Sequence, residues 1–139
     1  MTARRHRMRS DEGSVLLEVV VLGVGLLVPL LYGAISIMDV EAARFAATSA
    51  AREAARAYVH APTVSQARSS ARMAARLVLH DAHRAPVQPQ IICVGGCLVP
   101  LSHVNVTVRL PVSLPLMGFS PLSVSATESM PVDRFRDVP

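Results

Sequence analysis

Hydrophobic and polar positions divide the chain into a long apolar run, an alanine-rich region and a β-rich end. From Ser14 to Met38 the only charged side chain is Glu18. A helix of about 25 residues spans roughly 37 Å, which is enough to cross a hydrocarbon core of about 30 Å. The pattern therefore predicts a transmembrane helix over residues 14–38, with Pro29 as a kink inside it.

The helix is predicted to continue beyond the apolar run to about Val59. Alanines recur there every three or four residues and form one small-residue face. Ala61-Pro62-Thr63 breaks this helix, and a second one is predicted from about Val64 to His83, with Thr63 or Ser65 as its N-cap. The apolar side of the second helix is expected to comprise Val64, Ala67, Ala71, Ala74, Ala75 and Val78.

Beyond Pro86 the apolar spacing changes from helical to alternating. Ile91 to Val94, Val104 to Leu110 and Leu122 to Thr127 read as three short strands, and the proline-rich stretch 111–121 reads as a loop. We therefore predict an α+β fold: a long N-terminal transmembrane helix that continues outside the membrane, a second helix and a small C-terminal antiparallel sheet.

Four segments follow from these patterns. Residues 1–13 form a polar leader that is expected to be cleaved, and residues 14–38 form the membrane helix. Residues 39–85 form an Ala- and Arg-rich helical region outside the cytoplasm, and residues 86–139 form the β-rich module.

The charge distribution argues for a topology signal rather than a nucleic-acid interface. The chain has 14 Arg and no Lys, and its pI is about 10.0. Four of them, Arg4, Arg5, Arg7 and Arg9, precede the apolar run. By the positive-inside rule they place the N-terminus in the cytoplasm and the rest of the chain outside. The remaining chain is only weakly basic, so no nucleic-acid partner is predicted.

Gly13 and Glu18 are the strongest functional signal. A carboxylate within a membrane helix costs about 2.5–3.5 kcal/mol at the bilayer centre and less near the interface, so it usually has a partner or a task. Gly13, five residues earlier, fits cleavage by a prepilin peptidase, which would make Ser14 the new N-terminus. The Ser14 amine of a neighbouring subunit could then neutralise Glu18. Two alternatives remain: Glu18 reaching into the lipid headgroups, and a secretory signal cleaved near Ala34-Ile35-Ser36.

Cys93 and Cys97 flank a Gly95-Gly96 turn in the segment predicted to lie outside the cytoplasm. A disulfide is favoured there, with free thiols and metal or redox chemistry as alternatives. His80, Asp81 and His83 lie close together in sequence but lack a further ligand, so no metal and no cofactor is predicted. The sequence contains no recognisable catalytic arrangement, and an enzyme is not expected.

A row of basic residues follows the second helix at intervals of four. Like charges at this spacing repel, so the row is a candidate surface for an acidic partner or an anionic cell-surface polymer, the alternative being a solvated face. Its members are Arg68, Arg72, Arg76, His80 and Arg84.

The chain resembles the TadE family, pilin-like proteins of the tight-adherence (Flp-type) pilus system. The resemblance rests on five stretches: Asp11-Glu12-Gly13, the start Ser14 to Glu18, the run to Met38, the segment Ala51 to Ala57, and the ending from Leu122 to Thr127 with Met130-Pro131-Val132. It implies a pilin-like fold, single-pass insertion in the cytoplasmic membrane and processing by a prepilin peptidase.

The resemblance also implies a role and partners. The role is that of a minor pseudopilin or pilus-assembly component at the membrane, on the cell surface or in the pilus. The partners are the peptidase, other pilin-like subunits, the assembly machinery and membrane lipid, with the alanine face packing against other pilins. Two other functions stay open: an unprocessed signal-anchored envelope protein with a disulfide-closed β module, and an exported redox or metal-binding protein.

Overall fold

A computed structural model describes residues 12–113 and 122–136, with side chains from Val15 onward. Two helices, α1 (Glu12–His60) and α2 (Val64–Asp81), precede three strands, β1 (Gln90–Val94), β2 (His103–Val112) and β3 (Leu122–Pro131). The predicted α+β arrangement of a long apolar helix, a second helix and a small antiparallel sheet is confirmed. Most of the predicted leader and of the 111–121 loop lies outside the described residues.

The chain divides into two compact units, with the boundary between Ile37 and Met38. α1 contributes residues to both units and begins at Glu12, two residues before the predicted start of the apolar helix. In the first unit the described residues are all helical. The second unit holds the remainder of α1, all of α2 and the sheet.

In the second unit α1 buries its alanines. All of these buried alanines but Ala43 share one buried cluster with alanines of α2 and inner valines of β2, and Ala43 packs in a second cluster with Val112 and Val124, so the chain itself covers this face. The expectation that the alanine face packs against other pilins is therefore wrong for these residues. Methyl side chains fit because they let backbones approach closely. The fully or almost fully buried alanines of α1 are Ala43, Ala46, Ala47, Ala50, Ala51, Ala54 and Ala55.

α2 begins and ends at identifiable caps. The Thr63 hydroxyl accepts a hydrogen bond from the Gln66 backbone N–H at 3.3 Å, as an N-cap should. At the other end His83 has a positive φ of 54°, and the Arg84 N–H donates to the Leu79 carbonyl at 2.8 Å. This left-handed cap stops the helix at Asp81, two residues earlier than predicted, with His in the place that glycine usually takes.

The buried side of α2 differs in detail from the predicted one. Ala67, Ala71 and Ala75 are buried as expected, and Leu79 completes the row. Val64 is 36% exposed, and Ala74 and Val78 are only half-buried. The buried residues of α2 are therefore spaced strictly by four, and the buried face is narrower than the predicted one.

The sheet has the order β1-β2-β3, and both pairings are antiparallel. β2 is the central strand and buries every second side chain, from Val104 to Val112, against the helices. On β3 the same face carries Leu122, Val124 and Ala126, followed by Glu128 opposite Val106. The other face of the sheet is mainly polar and exposed.

The C-terminal segment is tied to the end of α1. The Arg136 guanidinium donates to the Val59 carbonyl at 2.6 Å and also to the Ala61 carbonyl. These acceptors lie where a helix end leaves carbonyls without helical donors. Val132 is buried nearby in the same core, and its N–H donates to the Ser102 carbonyl at 2.8 Å. The last described residues are therefore part of the folded unit.

Candidate functional site

The apolar run of α1 exposes all of the large aliphatic side chains that the structure describes in it. The exposed fraction of the Val, Leu, Ile and Met residues between Val15 and Met38 ranges from 54% at Leu31 to 72% at Leu16. A soluble monomer rarely exposes so large a continuous apolar surface. The helix is long and apolar enough to cross a membrane and lies near the N-terminus. It is compatible with a single-pass membrane anchor or a signal anchor.

Glu18 is the only charged residue within this apolar surface. Its side chain is exposed and has no hydrogen-bond or ion-pair partner among the residues that the structure describes. Gly13 and Ser14 lie in the first turn of α1, so Ser14 is about one turn before Glu18. A carboxylate without a counter-charge is costly inside a hydrocarbon layer.

Pro29 lies inside α1, as the sequence indicates. It has no N–H, so the Gly25 carbonyl lacks its helical donor. A Cβ added at Gly23, Gly25 or Gly33 would meet nothing within 4 Å, so the chain itself does not require glycine at these positions. The predicted kink at Pro29 stays a prediction.

Cys93 and Cys97 form a disulfide that closes the turn after β1, with an S–S distance of 2.03 Å. Gly95 and Gly96 have φ values of 82° and 113°, which favour glycine. At Gly96 a Cβ would also lie 2.7 Å from the Val99 Cγ2. The Tyr58 hydroxyl is 3.4 Å from the Cys93 Sγ, so α1 contacts this turn directly.

Arg68, Arg72 and Arg76 lie on the exposed side of α2, and none of them forms an ion pair or hydrogen bond with another described residue. Arg84 does not belong to this row. It follows the end of α2, and its guanidinium lies 2.6 Å from the Asp39 carboxylate, with 20% of its side chain exposed. The left-handed residue His83 redirects the chain before Arg84, which explains the difference.

His80 and Asp81 are 3.7 Å apart and are both largely exposed. His83 serves in the cap of α2, and its Nδ1 lies 3.2 Å from the Asp81 carbonyl. Within the described part of the chain, no three His, Cys, Asp or Glu side chains are grouped so that they could hold a metal ion.

Sequence reasoning missed several contacts between distant residues. Arg52 on α1 pairs with Glu128 on the inner face of β3 at 3.7 Å. The alternation of β3 continued beyond Ala126 places Glu128 on the buried face, so the sequence could have predicted that Glu128 needs a partner there. Nothing in the sequence indicates that Arg84 meets Asp39, because the contact depends on how the two helices pack.

Comparison with known proteins gives no match for this chain among family models, curated proteins or solved structures.

Proposed function

We propose that this chain is a minor pseudopilin or assembly component of a tight-adherence (Flp-type) pilus, processed by a prepilin peptidase after Gly13. In this proposal residues 14–38 anchor the chain in the cytoplasmic membrane, with the N-terminus in the cytoplasm and the second unit outside. Its partners are the peptidase, other pilin-like subunits, the assembly machinery and lipid.

The observation that carries the proposal is the exposed apolar surface from Val15 to Met38, with Glu18 near its start as a carboxylate that has no partner among the described residues. A simple lipid anchor gains nothing from a carboxylate at this position. A subunit that packs its anchor against other anchors can use it, because a free amine at Ser14 of a neighbour supplies the counter-charge. Gly13 supplies the small residue that a peptidase needs at the cleaved bond.

The second unit is consistent with this role but limits where subunits can meet. Its alanine face is buried against α2 and the sheet of the same chain. Contacts between subunits through α1 must therefore involve the apolar run or the side of α1 that stays exposed, which includes Phe45. We infer that the apolar run supplies the main helix-to-helix contact in an assembly.

The test is the N-terminal residue of the full chain extracted from membranes of cells with and without the peptidase. We expect Ser14 when the peptidase is present and a start at or near Met1 when it is absent. Gly13→Leu should block cleavage, whereas Gly23→Leu, the same change where the chain has open space, should leave it intact. A start near Met1 in both strains would contradict processing and favour the unprocessed envelope anchor.

A further inference from the structure

We propose that the outward face of α2 binds an acidic amphipathic helix of a different polypeptide. We define the α2 face by Arg68, Arg72 and Arg76 with the neighbouring ridge of Met73 and Leu77. This inference goes beyond the proposed function and does not depend on cleavage after Gly13, because residues 64–81 belong to the second unit.

The three arginines form a regular positive row that meets no counter-charge among the described residues. They follow one another at intervals of four residues, so they lie about 6 Å apart along the helix axis. All three are exposed, and none is ion-paired within the described part of the chain. Like charges at this spacing destabilise a helix slightly. A partner that presents acids at the same interval relieves this repulsion at all three positions.

Apolar side chains beside the row argue for a protein helix rather than a soluble polyanion. Met73 and Leu77 follow Arg72 and Arg76 by one residue, which is about 100° around the helix, and they are 58% and 59% exposed. Further around, a groove of about 430 Å³ lies between α1 and α2 beside Phe45 and Val78. A hydrated polyanion has no apolar surface to bury on this ridge, whereas an amphipathic helix offers both acids and leucines at intervals of four.

Among the described residues of the second unit, no acids recur at intervals of four, so a second copy does not match the row. Three of its described acids already form ion pairs: Asp39 with Arg84, Glu41 with Arg44 and Glu128 with Arg52. The Asp133 carboxylate accepts from the Phe135 N–H, and Asp81 lies next to His80. Glu53 is unpaired among the described residues but stands alone. The occupant is therefore a different chain.

The test uses the full chain in neutral detergent micelles and a labelled synthetic helical peptide that carries Glu at every fourth position and Leu beside each Glu. Fluorescence anisotropy gives the Kd of the complex between the peptide and the full chain. A peptide with Gln in place of every Glu is the control. We expect Arg72→Glu to weaken binding about tenfold. The matched change Arg109→Glu, on the exposed face of β2, should alter Kd less than about twofold. Leu77→Ser should weaken binding about fivefold.

Thermal unfolding of each variant checks that the second unit stays folded. We expect little change in the midpoint, because all three positions are exposed. Equal losses for Arg72→Glu and Arg109→Glu would show unspecific attraction to net charge and overturn the proposal. So would failure of the acidic peptide to bind better than its Gln control. Binding that survives Leu77→Ser and is displaced by dextran sulfate would identify an anionic polymer as the occupant and would also overturn it.

Discussion

The two parts of α1 use apolar residues in opposite ways. From Val15 to Met38 the side chains are large, and every Val, Leu, Ile and Met is more than half exposed. From Asp39 to His60 the apolar residues are mostly alanine, and most of the alanines are buried. In α1 the large aliphatic side chains are exposed and the small ones are buried. In an ordinary soluble protein, large aliphatic side chains fill the core.

This difference bears on the surroundings of each part. Burying a large aliphatic side chain away from water is worth about 1.5–3 kcal/mol. In the described part of the chain, the side chains of the first part stay exposed and do not make this gain. This exposure is compatible with a helix that lies in a membrane. Alanine gains little per residue but allows close approach. The second unit therefore depends on many small contacts together with a few large ones, such as Tyr58, Leu79 and the inner valines of β2.

The largest expected effect comes from placing a charge in the first part. Leu26→Arg introduces a cation at the middle of the apolar run, where insertion of a helix is expected to become about 2.5–3.5 kcal/mol less favourable. The mutant chain should shift from the carbonate-resistant membrane fraction to the soluble or degraded fraction. Immunoblotting of fractionated cells measures this shift.

The control places the same charge on the second part. Phe45 is 76% exposed, so Phe45→Arg should leave the chain in the membrane fraction. If both variants stay fully in the membrane fraction, the apolar run is not what anchors the chain. The exposed side chains of the first part of α1 would then not be explained by contact with a membrane.

The next effect comes from enlarging a buried alanine in the second part. Ala50 has no exposed surface and belongs to the main core cluster. Ala50→Leu should destabilise the second unit by about 1–3 kcal/mol, because the added methylene groups force the helix away from its neighbours. Thermal unfolding of the full chain in detergent, followed by circular dichroism, reports the change.

Ala42→Leu is the matched control, since Ala42 is exposed at the edge of the groove beside Phe45. Its effect should stay within about 0.5 kcal/mol in either direction. A small cost for Ala50→Leu as well would mean that the alanine core is loosely packed and tolerates bulk.

Much of the fold could be predicted because its signals are local. The apolar run, the break at Pro62, the N-cap at Thr63 and the alternation in β2 each depend on neighbouring residues. The end of α2 was predicted two residues late, because the left-handed cap residue is His83 rather than glycine. Without a glycine at this position, the sequence does not show where the helix ends.

The parts that sequence reasoning missed are those that depend on packing. The alanine spacing shows that α1 has a small-residue face, but it does not say whether that face meets another subunit or the same chain. The structure places it in the core of its own unit. Likewise, the interval of four residues placed Arg84 in the basic row, whereas the turn at His83 carries it to Asp39. Cleavage after Gly13 and the partner of Glu18 stay predictions, since they concern other molecules.

The smallest expected effect concerns this Arg84 contact, at the first charged residue after the apolar run. The Arg84 guanidinium donates to the Asp39 carboxylate at 2.6 Å and to the Asp39 carbonyl at 3.2 Å. With 20% and 43% of the two side chains exposed, the pair is better shielded than Arg44 and Glu41, which are 63% exposed each. Asp39→Asn should cost about 0.5–1 kcal/mol, and Glu41→Gln less than about 0.5 kcal/mol.

A double-mutant cycle with Arg84→Gln, measured by thermal unfolding, separates the pairwise energy from the effect of each change alone. The coupling should fall as salt rises, but less steeply than for Arg44 and Glu41, because screening acts most on exposed charges. Equal coupling energies for the two pairs would show that the contact at Asp39 is an ordinary surface pair. Arg84 would then have no special part in joining the end of α2 to the beginning of the second unit.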